Sequence, residues 1–315
     1  MLSDLMKLSA WGLLCPLDQT PLAVEAEALT CPTCGRRYPN DEGVIRFSTT
    51  NDPFYEGAYD NQVKYLPRGK SFLHTLPLWL ISNGYLWTVG KYVKPGSRVA
   101  ELGCAGGVAW FGRRYVMAGV DVSHHGLAMA ARKYDIALQA ENVRSLPDGS
   151  LDAVISSYFW EHIPPASKPI LLDDIRRVLK PGGRIVFLYD VATANPLISW
   201  LRRTGPELYQ AHFIDADGHL GYQTVDDNDA LFTAHGFEIL RSHPMERSPL
   251  QSHSVYFKMR YWPGTARLLG RGLDFLGRPP FTYLYIALLR VIDETVGRAL
   301  PRNWGRIAIT VAVKR

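Results

Sequence analysis

The sequence predicts an α/β fold built on a mostly parallel sheet, and three observations carry that expectation. Between residues 97 and 190 short apolar runs alternate with helical patterns, which implies crossover connections and a sheet covered on both faces. Pro181-Gly182-Gly183 separates the amphipathic run Ile170–Leu179 from the apolar run Arg184–Leu188, the punctuation of a helix ending into a strand. The small residues Gly103-Cys104-Ala105-Gly106-Gly107 follow the apolar run Arg98–Leu102, as they must where a backbone turns tightly at the carboxyl end of a strand and lets a ligand approach. Composition agrees. With 315 residues, 47% hydrophobic and 21% charged, the chain has material for about two domains and falls outside the disordered, collagenous and disulfide-scaffold classes. No apolar run approaches the ~20 residues of a membrane-spanning helix, and Leu8–Leu14 is too short and interrupted for a secretory signal. Four cysteines, three of them clustered early, fit a reducing compartment, so a cytoplasmic location is expected.

The elements divide into three stretches. Residues 11–50 are turn-rich and hold Cys15, Cys31 and Cys34. Residues 51–96 form an aromatic-rich stretch, read as a helical lid or linker, in which Tyr55 and Tyr59 are candidates to close over a bound ligand. Residues 97–315 carry the α/β pattern, with strands expected at Arg98–Leu102, Met117–Val120, Ala153–Ser156, Arg184–Leu188, Phe237–His243 and Arg306–Val313. A basic, aromatic insert at about 249–304 interrupts the last two strands; between Lys258 and Arg306 nine Lys or Arg stand against three Asp or Glu, in a chain whose net charge is only +5. The rest of the chain is therefore near neutral. Such an insert suits a substrate cap, a homodimer interface or contact with an anionic membrane surface.

The turn after the first strand does not meet the glycine spacing of a dinucleotide fingerprint, G-x-G-x-x-G: position 105 is Ala and position 107 is Gly. The downstream order is more specific: Gly119-Val120-Asp121-Val122-Ser123 puts a carboxylate at the end of the next strand, Asn142-Val143 precedes Leu146-Pro147-Asp148, and Leu151–Ser157 forms a further apolar run. Taken in this order, residues 97–190 resemble the class I S-adenosylmethionine-dependent methyltransferases. The resemblance implies a seven-stranded, Rossmann-like methyltransferase sheet and S-adenosylmethionine as cofactor. It implies Glu101 near the methionine amino group, close backbone approach at Gly103 and Cys104, and Asp121 on the ribose hydroxyls. Asn142, where the family usually has Asp, and Val143 would contact the adenine, and Ser157 the methionine end. The interval from Gly103 to Asp121 is shorter than the family's, so the first helix is expected to be truncated.

Cys15-Pro16-Leu17-Asp18 and Cys31-Pro32-Thr33-Cys34 are two knuckles with the two-residue spacing of a zinc ribbon, the second ligand position being Asp18 rather than Cys. With Gly35-Arg36-Arg37-Tyr38-Pro39 and Glu42-Gly43-Val44-Ile45 the block resembles the small Trm112-type zinc-ribbon domain, whose free-standing members activate methyltransferases. The resemblance implies a ligand set of Cys15, Asp18, Cys31 and Cys34. A Cys₃Asp set is unusual, and a metal-free β-rich unit remains the alternative. Some ribosomal RNA methyltransferases also begin with a ribbon, which makes RNA a second candidate acceptor beside a small molecule such as a sugar, a lipid-linked precursor or a secondary metabolite. A third reading is a non-catalytic scaffold that binds no cofactor. If the accepting atom carries a proton, a base is needed: His162, in Trp160-Glu161-His162, and His219, near Asp217, are the candidates, with His212 behind them.

Overall fold

A computed structural model describes residues 2–25, 27–50, 83–278 and 280–315, with side chains from Met6 onward. Tyr55, Tyr59 and most of the expected lid lie outside the described residues. The strands are β1 (Ala23–Val24), β2 (Ala28–Thr30), β3 (Arg37–Asp41), β4 (Val44–Arg46), β5 (Arg98–Leu102), β6 (Val116–Asp121), β7 (Ile136–Gln139), β8 (Leu151–Ser157), β9 (Leu179–Asp190), β10 (Phe237–Met245) and β11 (Ile307–Lys314). They hydrogen-bond in the order β1-β2-β3-β4-β7-β6-β5-β8-β9-β11-β10. The expected seven-stranded sheet is thus extended to eleven: β5 to β11 form the α/β part, and four short strands of the N-terminal block continue it. The α/β expectation itself stands.

The parallel strands β7, β6, β5, β8 and β9 run through the middle of the sheet, and β11 and β10 close one side antiparallel. Their side chains alternate between two cores. Ala100, Leu102, Val154, Ile185 and Phe187 pack on one face, and Val99, Ile155, Val186, Leu188 and Val311 on the other. A strand buried on both faces reads as a nearly continuous apolar run, which is why β5, β8 and β9 are legible in the sequence. The Pro181-Gly182-Gly183 turn falls within β9, and Gly182 takes φ +74°. The helix before it spans Lys168–Val178.

From β5 the chain steps outward through β6 to β7, then returns to place β8 on the other side of β5. In an open α/β sheet this reversal opens a crevice at the carboxyl ends of the two central strands, where ligands bind. The residues singled out by the sequence cluster at that edge.

Residues 11–50 are joined to the sheet rather than set beside it. β4 pairs in parallel with β7, Ile45 opposite Leu138, and Leu29, Cys31, Tyr38 and Ile45 belong to the same core as Leu102 and Leu138. The Leu14 N–H donates to the Ser145 carbonyl at 2.8 Å, and the Arg98 guanidinium lies 4.2 Å from the Trp11 ring centre. Burying Leu29, Tyr38 and Ile45 contributes about 1.5–3 kcal/mol each relative to exposure.

The insert between β10 and β11 folds into helices His253–Met259, Gly264–Gly272 and Phe281–Glu294. With helix Pro196–Thr204 they enclose a third core of Leu201, Phe213, Tyr256, Met259, Trp262 and Tyr285. Asp293 anchors the insert by accepting from the Glu246 N–H at 2.9 Å. Its outer side leaves Phe281, Leu284, Leu288 and Val291 exposed in one row. Among the described residues no helix is long and apolar enough to cross a membrane.

Candidate active site

β5 delivers Glu101 and then turns. Gly103 takes φ +63°, a conformation open to glycine at little cost, and a Cβ there would stand 2.8 Å from the Phe159 side chain. Ala105 also lies in the left-handed region, φ +45°, where an L-residue is strained by about 1–2 kcal/mol. The strain is held in place by Asp121 from the end of β6: Oδ2 accepts from the Ala105 N–H at 2.8 Å and Oδ1 from the Ser123 N–H at 2.9 Å. Lys133 Nζ donates to the Gly107 carbonyl at 2.9 Å and to that of Gly106. The helix after the turn is only the six residues Ala109–Arg114.

Glu101 is buried, and burial pushes its carboxyl up to about 8; the hydroxyls of Tyr134 and Tyr85 pull it down and the charge of Asp121 raises it again. Tyr134 donates to Oε2 and Tyr85 to Oε1, the latter at 3.5 Å. A carboxyl so placed is neutral near pH 7 until a cation arrives to favour its charged form.

The other sequence candidates fall into place less uniformly. Cys104 brings backbone to the turn, and its thiol lies 3.6 Å from the Ala105 carbonyl. Its thiol is turned into the core, so close to β6 that a Cβ on Gly119 would stand 2.8 Å from the sulfur, and burial raises its pKa well above the usual thiol value. Asn142 Oδ1 accepts from the Arg144 N–H at 3.0 Å, which leaves that oxygen a second lone pair. Val143 is buried, its carbonyl accepting from Arg177 at 3.3 Å. Ser157 ends β8, half-buried, beside Tyr158 at φ +53°.

His162 accompanies the short helical turn Trp160–His162, its Nδ1 2.9 Å from the Gly218 carbonyl. Since a carbonyl only accepts, Nδ1 carries the hydrogen and the lone pair of the neutral ring is on Nε2. The His219 ring stacks on Tyr222 and lies 5.6 Å from that of His162. Its neighbour is not Asp217, which pairs with Lys258, but Asp190, at 3.6 Å from Nε2. Burial lowers the His219 pKa against the opposing charge of Asp190. His212 stacks on Tyr261 at 4.0 Å within the insert's packing, away from this pair.

Residues outside the site candidates named from the sequence complete the edge. Asp190 ends β9, and Arg306, just before β11, bonds Glu246 Oε2 at 2.9 Å and Asp190 Oδ1 at 3.5 Å. Glu161 is buried beside Asp190, whose N–H donates to its Oε1 at 3.3 Å. Burial and then the Asp190 charge raise the Glu161 pKa well above the ordinary range. Asp190 has a legible signal, an acidic residue ending an apolar strand at the ligand edge; Glu161 lies in the Trp160-Glu161-His162 run but only as the neighbour of His162, and Arg306 has none.

In the N-terminal block the four expected ligands converge. The donor atoms of Cys15, Asp18, Cys31 and Cys34 all lie within 4.8 Å of one another, with Cys15 Sγ 3.8 Å from Cys34 Sγ and Cys31 Sγ 3.3 Å from Asp18 Oδ2. No disulfide ties them. The Cys15 thiol is raised by burial but held below its usual value overall by the Tyr38 hydroxyl and the amides of Leu17 and Asp18, as a thiolate ligand requires.

Residues 100–187 match the family described as "Methyltransferase domain". The chain is 25% identical over 194 residues to a phosphoethanolamine N-methyltransferase of Triticum aestivum, covering 54% of this chain and 38% of that protein. It is 27% identical over 192 residues to an uncharacterized methyltransferase of Synechocystis, covering 58% of this chain and 82% of that one. A solved chain from the complex between the Haloferax volcanii Trm112 methyltransferase activator and the putative methyltransferase aligns with TM-score 0.51 and 16% identity, over 84% of this chain and 99% of its own. The chain thus spans well under half the length of the wheat protein, and the likeness to the Haloferax structure is one of fold.

Proposed function

We propose that the chain, whose residues 100–187 are a methyltransferase domain of the S-adenosylmethionine-dependent class, methylates an oxygen or nitrogen of a small molecule held between that domain and the insert. The observation that carries the proposal is the buried Glu101 carboxyl, set beside a strained turn whose amides Asp121 holds. When bound, S-adenosylmethionine supplies an electrophilic methyl group on a sulfonium. Glu101 would meet its cationic methionine end, and Gly103 lets the backbone come close. Asp121, Asn142 and Val143 follow along the edge toward β7. Fixing the accepting atom in line with the methyl and excluding water accounts for most of the acceleration such a reaction needs.

The acceptor would enter beside β8 and β9, where His162, His219 and Asp190 face one another. His219, kept neutral by burial, is suited to take a proton from an acceptor hydroxyl or ammonium. The insert roofs this edge: Lys258, on helix His253–Met259, pairs with Asp217, and Ser252 bonds Arg306 at 2.8 Å. Such a roof favours a small acceptor over RNA. The exposed row Phe281, Leu284, Leu288 and Val291 keeps self-association and membrane contact as separate properties of the insert, read by sedimentation of the full chain and by flotation with anionic vesicles.

We also infer that Cys15, Asp18, Cys31 and Cys34 hold one structural zinc, since four donors, three of them soft sulfurs, converge within 4.8 Å of one another, a set of the size a tetrahedral ion takes. The first test of the cofactor reading is calorimetric titration with S-adenosylhomocysteine. Micromolar binding that Asp121→Ala weakens about tenfold or more, through lost charge-assisted hydrogen bonds of about 1–3 kcal/mol, supports it; no binding to the wild-type chain returns the scaffold reading.

A further inference from the structure

Three side chains at the acceptor edge converge in a way that methyl transfer does not require. Glu161, Asp190 and His219 bring a carboxylate oxygen each and an imidazole nitrogen within 4.8 Å of one another. Glu161 is 1% exposed and the His219 side chain 6%. Each ends in an atom, Oε2 and Nδ1 respectively, with no hydrogen-bond partner among the described residues. Unpartnered polar atoms are expensive in a buried site, about 1–3 kcal/mol each.

Among the described residues, the nearby cations bond neither Glu161 nor His219, although one of them, Arg306, reaches Asp190. Arg306 is held by Glu246, Ser252 and Asp190 Oδ1. Lys168 Nζ donates to the Gly221 carbonyl at 2.7 Å and to Gln223 Oε1 at 2.8 Å, not to the Glu161 carboxylate. Asp190 divides its oxygens, Oδ1 toward Arg306 and Oδ2 toward the His219 ring, 3.6 Å away. A first-row cation at about 2.1 Å from each ligand sets neighbouring donors roughly 3–4 Å apart, so small side-chain movements would close the triad.

We propose that Glu161, Asp190 and His219 form a binding site for one divalent transition cation of the Mn²⁺ type, separate from the cysteine cluster. Two carboxylates and one imidazole suit the borderline ions rather than Mg²⁺ or a thiophilic metal, and three ligands leave coordination positions open. With His219 ligating the cation, the part of base passes to His162, whose Nδ1 faces the Gly218 carbonyl and whose Nε2 keeps the lone pair. The site lies just past the carboxyl ends of β8 and β9, the edge at which ligands bind in such sheets. Resting on the methyltransferase reading, this makes the acceptor one that offers oxygen donors beside its methylated atom: hydroxyl, carboxylate or phosphate.

The test is titration of the purified full chain with Mn²⁺, followed by loss of the free-ion electron paramagnetic resonance signal, with thermal melts on the same samples. The expected result is one Mn²⁺ per chain at micromolar affinity and a raised Tm. Glu161→Gln, which removes the ligating carboxylate and keeps the packing, and His219→Gln should each weaken binding at least tenfold. A wild-type chain that binds no Mn²⁺, or binding that both edge variants retain in full, overturns the site. S-adenosylhomocysteine titration of the same preparation separates the two claims. Cofactor binding without Mn²⁺ removes only the metal, and Mn²⁺ binding without cofactor removes only the methyltransferase reading.

Discussion

Glu101 shows how one residue can link cofactor, proton and stability. Its carboxyl is pushed up to about 8 in the fold, mainly by burial, against an ordinary value near 4.5 in the unfolded chain. The folded state therefore binds a proton that the unfolded state gives up. This stabilisation is full below about pH 4.5 and is lost as pH rises through about 8. Melting temperatures of the free protein should fall between pH 6 and pH 9, and Glu101→Gln should flatten that slope; parallel curves for the two proteins would remove Glu101 as its source. A cationic ligand reverses the preference. Binding of S-adenosylhomocysteine at pH 7 should release close to one proton, read from calorimetry in two buffers of different ionisation enthalpy, and the Gln variant should release none. The acidity of Glu101 is legible as a residue type in the right motif, but its environment is not, because Tyr85 and Tyr134 reach it from positions 16 and 33 residues away. Asp121 is likewise legible as a carboxylate at a strand end, yet its hold on Ala105 and Ser123 emerges only when the turn is folded.

At the scale of elements, legibility follows how local the cause is. β5 has the expected bounds, and β6, β8, β10 and β11 lie within two residues of theirs at either end, because each is an apolar run bounded by turn residues. β7 is not among the expected strands: Ile136–Gln139 has three apolar residues and no turn signal of its own. β4 is legible as the end of a ribbon but not as a neighbour of β7, a pairing no local pattern encodes. The turn after β5 gives the sharpest expectation at this scale. Gly103→Val would put a branched side chain at φ +63° and against Phe159, costing roughly 1–3 kcal/mol of stability; a melt within about 1 °C of wild type would mean the turn can relax. For the cysteine knuckles, elemental analysis of protein prepared without chelator should find one zinc per chain, and its removal should lower Tm, because Cys15 and Cys31 belong to the main core. A melt unmoved by chelator would leave the knuckles metal-free.

For the molecule as a whole, the α/β class and the strand order around the crevice can be anticipated from the run of motifs between residues 97 and 190. The acceptor edge cannot, since it gathers Asp190 from the end of β9 with Glu161, His219 and Arg306 from three separate connections. Removing residues 1–50 should do more than delete a small appendage. It bares the edge of β7 and the core beneath Ile45 and Leu29, and an unpaired edge over apolar surface invites association with other chains. Light scattering should show the shortened chain aggregating on heating well below the wild-type transition; a monomer with the wild-type Tm would make the block dispensable.

That edge pairing also sets an order of events during synthesis. β4 leaves the ribosome early, while the strand it pairs with, opposite Val44 at Ala137, follows about 90 residues later. Loops of that length close at a large entropic cost, and contacts distant in sequence form slowly. The first segment made is thus among the last to find its place, and its apolar residues wait for the rest of the chain in the meantime. Refolding should accordingly show a slow phase reported by Trp11, which is silent in the early collapse of the central strands.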